Sequence, residues 1–300
     1  MIATSLKGHN YLKASRLALK PTVFVLLVSL FLLLLLLGCA EAIQTEKLTT
    51  IMIETERVDF YDENLDALIR ERFDKTSDEE IVATELATIE VFVANGRGIT
   101  NLSGIQYCFN LTKLHLHENQ ISDISPLSNL TKLSYLGLNN NQIRDISPLT
   151  SLTNLTEIHI HDSEISDISP LSNLTKLSYL GLNNNQIRDI SPLASLTNLT
   201  DLWLDDNQIG DVSHLSNLTS LTSLHLGGNQ IRDILPLASL SNLTNLWLND
   251  NQIIDISPLL SIKELSGGDR IYLRNNPLND LSMDIYIPQL KIRGVSISFE

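Results

Sequence analysis

Four histidines stand in two pairs, His115 with His117 and His159 with His161, and the pairs recur at a 44-residue interval. Imidazoles at i and i+2 of a strand share a face about 7 Å apart, which suits two ligands of one metal ion. Two repeats separate the pairs, however, a distance of roughly 10 Å and too far for one four-ligand site. No pattern of carboxylate partners to orient the rings accompanies them. Residues 128–149 and 172–193 are identical over all 22 positions, so the recurrence reads as duplication. The expectation is mild pH sensitivity from neutral-range histidines rather than a metal, and no cofactor. No nucleophile–base pair, glycine-rich phosphate loop or isolated carboxylate couple stands outside the repeats. An enzyme is therefore not expected.

Two other recurrent signals have structural explanations. Asn110, Asn129, Asn154, Asn173, Asn198, Asn217 and Asn242 each begin Asn-Leu-Thr, a formal glycosylation acceptor, but the repeat requires that leucine. Asp123, Asp145, Asp167, Asp189, Asp211, Asp233 and Asp255 suggest a calcium ladder, yet each directly precedes a turn and is better used on local backbone.

The elements that position these residues follow from a 22-residue unit with asparagine at 119, 141, 185, 207, 229 and 251, and Ser163 as the lapse. Self-similarity at this period defines a solenoid. Leu111, Leu114, Leu116, Ile121, Ile124, Leu127 and Leu130 should point inward, the Leu-x-Leu core being a strand of a parallel sheet. The asparagine amide should bond backbone groups of its own and adjacent coils, so Ser163 marks a weak point. Ser-Pro reads as a cap with proline at the first position of a short convex turn. Cys108 falls in a leucine register and is expected to be a buried thiol. Ahead of the coils, residues 51–88 read as a helical cap, with Asp62 opening a helix through Arg72 and Ser77 another through Leu86. Ile89, Val91 and Val93 form a degenerate first coil, Gly267-Gly268 stretches the eighth, and Asn276 resumes the ladder. The repeats extend over 89–278. Residues 279–300 close the array, with a short helix near Leu281 to Tyr286 and a strand from Val295 to Phe299.

Residues between the core leucines project from the concave side of the sheet. The middle column runs His115, Gly137, His159, Gly181, Trp203, His225, Trp247, Tyr272, and so holds both tryptophans of the chain. Tyr135, Tyr179 and Asp201 stand in the column before it, and Asp205 in the column after. Aromatic side chains gathered on a rigid sheet are a binding signal. The candidate ligand-binding residues are therefore Tyr135, Tyr179, Asp201, Trp203, Asp205, His225, Trp247 and Tyr272. An aromatic and acidic patch suits a basic peptide segment or a carbohydrate. The alternative is that each tryptophan merely fills space beside small neighbours.

Residues 1–38 read as a signal peptide. Lys7, Lys13, Arg16 and Lys20 precede the apolar run 23–37, which is short for a membrane span. Leu36-Leu37-Gly38-Cys39 is similar to a bacterial lipobox, making Cys39 the lipidated residue and 39–50 a tether, with an uncleaved signal anchor as the alternative. Removing the four basic residues leaves 17 Lys and Arg against 35 Asp and Glu, a formal −18. Such a surface is a poor partner for nucleic acid or anionic lipid.

The unit Asn-x-Ile-x-Asp-Ile-Ser-Pro-Leu, as in residues 119–127, resembles the leucine-rich repeat of bacterial internalin-type proteins. Residues 58–70 resemble the helical cap of leucine-rich repeat lipoproteins of that group, and 286–290 with 293–295 their closing element. The resemblance implies an α/β solenoid with a concave parallel sheet, short 3-10 or irregular convex segments, and protein recognition on the concave face. The resulting expectation is a monomeric, extracytoplasmic, lipid-anchored protein that binds a protein or polysaccharide. A spacer or self-association protein of the cell envelope is the alternative, favoured by the identical coils.

Overall fold

The computed structural model describes residues 56–299. The apolar run, the tether and Cys39 lie outside the described residues. Among the described residues no helix is long and apolar enough to cross a membrane.

Asp62 caps α1 (Glu63–Phe73), accepting from the N–H groups of Asn64 and Leu65, while Glu63 and Asp66 complement the positive end of the helix. Its second oxygen accepts from Thr100 and Asn101, so one carboxylate ties the cap to the first coil. Burial opposes its charge, but the hydrogen bonds from Thr100, Leu65 and Asn101 outweigh that and hold its pKa below the ordinary value. Leu65 and Ile69 turn inward onto the end of the core. The second cap helix is shorter than the sequence suggests: α2 is only Ala83–Leu86, capped at Val82. The acidic stretch after Ser77 offers no apolar face to pack, and Glu79 instead closes a turn on the Thr76 N–H and hydroxyl.

Ten three-residue strands then pair in parallel and in chain order. They are β1 (Val91–Val93), β2 (Lys113–His115), β3 (Tyr135–Gly137), β4 (Glu157–His159), β5 (Tyr179–Gly181), β6 (Asp201–Trp203), β7 (Ser223–His225), β8 (Asn245–Trp247), β9 (Arg270–Tyr272) and β10 (Ser296–Ser298). The register is unbroken, so Leu114, Leu136, Ile158, Leu180, Leu202, Leu224, Leu246 and Ile271 form one buried line. β1 corrects the reading of the first coil. Phe92 and Ala94 occupy the core positions opposite Leu114 and Leu116, while Val91 and Val93 face outward, 41% and 58% exposed. The pattern is ambiguous there because all six residues from Ile89 to Ala94 except Glu90 are apolar. Cys108 is fully buried, and burial raises its thiol pKa to about 12, so it is inert at neutral pH.

The repeated asparagine staples adjacent coils. Asn207 Nδ2 donates to Leu182 O (3.0 Å) in the preceding coil and to Leu204 O (3.1 Å) in its own, while Oδ1 accepts from Ile187 N–H (3.0 Å). The same pattern recurs at Asn141, Asn185, Asn229, Asn251 and Asn276. Ser163, as expected, fails here: its hydroxyl is buried without a hydrogen-bond partner.

On the opposite side the coils make short 3-10 turns such as Ser125–Leu127 and Ser169–Leu171, with proline second. The serine does not cap them. The aspartate two residues earlier does, as Asp123 Oδ1 accepts from Ser125 N–H at 2.8 Å and Asp167 from Ser169 N–H. The Asn-Leu-Thr triplets fall in two registers, with Leu111, Leu155, Leu199 and Leu243 in one and Leu130, Leu174 and Leu218 in the other, and every one is buried. Asn154, Asn198 and Asn242 donate to carbonyls of the preceding coil. The closing segment is more helical than expected. A π-helical stretch, Ser282–Tyr286, runs into an α-helix, Ile287–Ile292, and Gly294 (φ +94°) lies so close to Gly267 that a Cβ would sit 2.9 Å from its Cα.

Ser163→Asn should restore the missing staple and raise stability by about 1–3 kcal/mol, each recovered hydrogen bond contributing on the order of 1 kcal/mol. Urea unfolding checks this; an unchanged or lower midpoint would contradict the role assigned to the asparagine.

Candidate ligand-binding face

Residues at equivalent positions of successive parallel strands lie one coil apart, about 4.8 Å, close to the contact distance of aromatic rings. The open face of the sheet therefore stacks whatever rings the sequence puts in one column. All eight candidate residues lie on this face. Six of them carry rings, and His115 and His159 join these in a continuous ladder. Ring centroids follow at 4.3 Å (His115–Tyr135), 5.2 Å (Tyr135–His159), 4.3 Å (His159–Tyr179) and 5.7 Å (Tyr179–Trp203). They continue at 4.5 Å to His225, 3.6 Å to Trp247 and 5.1 Å to Tyr272.

Tyr135 and Tyr179 belong to the neighbouring column but bridge the rungs where the middle column has glycine. At Gly181 a Cβ would lie 3.3 Å from Tyr179 Cε1, and at Gly137 it would lie 2.3 Å from His117 Nε2. Glycine is thus the space into which adjacent rings fold. It also draws the histidine pairs together: the His117 and His159 rings are 6.3 Å apart, nearer than a two-coil separation implies. Sequence reasoning left His115 and His159 out of the aromatic surface. The tyrosine two residues before each glycine was the available signal.

The rings are half-buried by one another rather than freely exposed. Trp203 Nε1 is covered and has no hydrogen-bond partner. Asp205, 21% exposed at its side chain, accepts from Gly227 N–H (2.8 Å) and Asn183 Nδ2 (3.3 Å) and lies 3.3 Å from His225 Nδ1. It props the ladder as well as charging the face. Asp201 accepts from the Thr200 hydroxyl. Asp206, at the left-handed position after Asp205, has its pKa raised by burial and then by Asp205, Asp250 and Asp162. Asp250 is held below the ordinary range by hydrogen bonds from Asn249 and Asn275. Burial, then the Asp201 charge, pushes the Tyr179 hydroxyl up to about 12. His115 and His117 are lowered chiefly by burial, and burial together with His117, His161 and His115 brings His159 down to about 4. Among the described residues no group of three or more His, Cys, Asp or Glu is arranged to hold a metal ion.

Parallel three-residue strands, buried asparagine staples and 3-10 returns define a leucine-rich repeat solenoid. The family model for leucine rich repeats (2 copies) matches overlapping segments from 109–151 to 219–261, and the chain belongs to that family. It is internalin-like. Internalin C2 of Listeria monocytogenes is 37% identical, the match covering 73% of this chain and 94% of that one with a TM-score of 0.65. An internalin (inlF) of the same species is 33% identical, covering 80% and 90%, with a TM-score of 0.54. A leucine-rich repeat protein of Leptospira interrogans is 25% identical over 67% of this chain and 52% of that one, with a TM-score of 0.61. No curated protein matches.

Because the folded state holds these histidines neutral, acid should destabilise it. Below the ordinary pKa near 6.5 the unfolded chain takes up protons that the folded ladder resists, down to about 4. Stability should be flat near pH 7, fall between 6.5 and 4, and fall again in base, where the unfolded chain ionises Cys108 and Tyr179 that the fold keeps protonated up to about 12. His159→Phe, which keeps a ring without the titrating nitrogen, should lessen the acid fall. An equal slope for wild type and variant in urea unfolding at several pH values would show that His159 is not a source of it.

Proposed function

We propose that this chain is an extracytoplasmic, lipid-anchored binding protein whose concave face recognises a protein ligand through the ring ladder. Leucine-rich repeat proteins of the internalin kind are typically binding scaffolds rather than enzymes, and no cofactor enters this reading. The observation that carries it is the continuous stack from His115 to Tyr272 on a rigid sheet. A rigid aromatic surface loses little conformational entropy when a partner orders on it.

The stack also favours protein over polysaccharide. A sugar lies flat on the face of an aromatic ring, but the faces of the interior rungs are already covered by the next ring. What they offer is edges, which bear partial positive charge and suit backbone carbonyls and apolar side chains. Asp201, Asp205, Asp206 and Asp250 beside Trp203 and Trp247 favour a partner with basic groups over the middle of the face. A spacer role remains the competing reading, supported by the two identical segments.

Replacing Trp203 and Trp247 together by Ala should weaken partner binding by more than about 100-fold, since buried aromatic anchors typically cost about 2 kcal/mol or more each. Capture from envelope extract by immobilised wild type and variant measures this, with thermal melts as the folding control. A folded variant that captures the same partner equally well would sink the reading. For the anchor, intact mass should show lipid on Cys39 at a new N-terminus, and Cys39→Ser should leave the precursor uncut. Release of a shorter, unlipidated protein would point to ordinary secretion.

A further inference from the structure

The cations of this acidic chain are mostly engaged. Arg70 pairs with Asp66, Lys75 with Glu85 and Arg144 with Glu164, while Arg188 and Arg232 donate to Gln208 and Gln252. Arg270, Arg274 and Lys291 are exposed with no carboxylate within ion-pair distance among the described residues, as are Arg72, Arg97, Lys113 and Lys263, but these three gather where the ring ladder ends. Arg270 and Arg274 flank Tyr272 on the same face, at i−2 and i+2. Lys291 comes from the closing helix, its Nζ 4.7 Å from the Phe299 ring centroid. Arg274 and Lys291 share an open groove with Ile297, Ser298 and Phe299.

The last rung differs from the interior ones as well. Tyr272 stacks on Trp247 at 5.1 Å, but the residue in register with it on β10 is Ser298, and among the described residues no further ring stacks on its outer side. An apolar ring face, guanidinium and ammonium groups without a carboxylate partner, and a groove beside the edge strand thus occur together at one end.

We propose that Arg270, Arg274 and Lys291, together with the outer face of Tyr272, dock an acidic segment of the protein partner and so fix its direction along the concave face. The inference rests on the concave face being the binding face. Its chemistry is that of carboxylates, which guanidinium groups hold by paired N–H donors. With a net charge of −14, most of the surface repels such a segment, so electrostatics directs it to this end. Asp201, Asp205, Asp206 and Asp250, nearer the middle of the face, attract the opposite charge. A partner with a basic stretch followed by an acidic one fits in one orientation only, and reversal opposes like charges.

The test is fluorescence anisotropy of the full chain with a labelled oligo-glutamate peptide, and an oligo-lysine peptide as control. Oligo-glutamate should bind wild type at low salt and weaken as salt rises. Arg270→Gln, Arg274→Gln and Lys291→Gln together should weaken it about tenfold, as three exposed charge contacts would. Oligo-lysine binding should be kept by the same variant, which also shows that it is folded; if the triple variant is misfolded, Lys291→Gln alone is read by the same titration. No oligo-glutamate binding to wild type, or equal binding to the folded variant, overturns the proposal. Displacement by pyrophosphate at far lower concentration than by free glutamate peptide would also overturn it, reassigning the site to phosphate. Failure of the concave-face reading shows elsewhere, as partner capture indifferent to the tryptophan substitutions while oligo-glutamate still binds.

Discussion

Every coil after the first, except the one that carries Ser163, is fastened to its predecessor by an asparagine amide that donates to one backbone carbonyl and accepts from one N–H across the gap. Such groups lose water on burial, so each unpaired one costs about 1–3 kcal/mol. The asparagine side chain is the smallest that can both donate and accept at that distance. With the staple in place, the strand that precedes it is held in strict register with the next. That register is the condition for everything on the open face, since a slip of one residue would exchange core leucines for surface rings.

Register converts a one-dimensional column into a stack. Coil spacing matches the thickness of aromatic contact, so Trp203, His225, Trp247 and Tyr272 stack without bending the backbone. In the first half of the array the same end is reached differently. Gly137 and Gly181 empty every second rung, and Tyr135 and Tyr179 lean in from the next column. Burial disfavours the charged forms of His115 and His159 in this half of the stack, and at His159 neighbouring histidines add to it, which couples the surface to pH. The acidic middle and the cationic end then give the stack a direction.

Much of this was legible in the chain. The spacing of Leu111, Leu114 and Leu116 specified strand and core, and Asn276 announced the resumed ladder after the Gly267-Gly268 insertion, because a repeated pattern constrains each copy by the others. Legibility failed where repetition ends. At the first coil Phe92 and Ala94 are as apolar as Val91 and Val93, and only the pairing of this strand with its neighbour decides which pair faces the core. Ser77 lacked the neighbouring apolar stripe that makes a capping residue effective. In the Ser-Pro turns the cap is supplied not by the serine but by the aspartate two residues earlier, in line with the local backbone bonding that its place before each turn suggests. The ladder itself was only half visible. Trp203 and Trp247 stood out by rarity, whereas His115 and His159 became rungs through the tilt of tyrosines in another column.

The two tryptophans of the chain both lie in the ladder, so their fluorescence reports on that surface and on nothing else in the protein. Acrylamide quenching, measured for the free protein and at saturation with the partner recovered from envelope extract, tests the central claim most directly. The account expects the quenching slope to fall when the partner covers the concave face. An unchanged slope at saturating partner would contradict it and move the binding surface elsewhere on the solenoid.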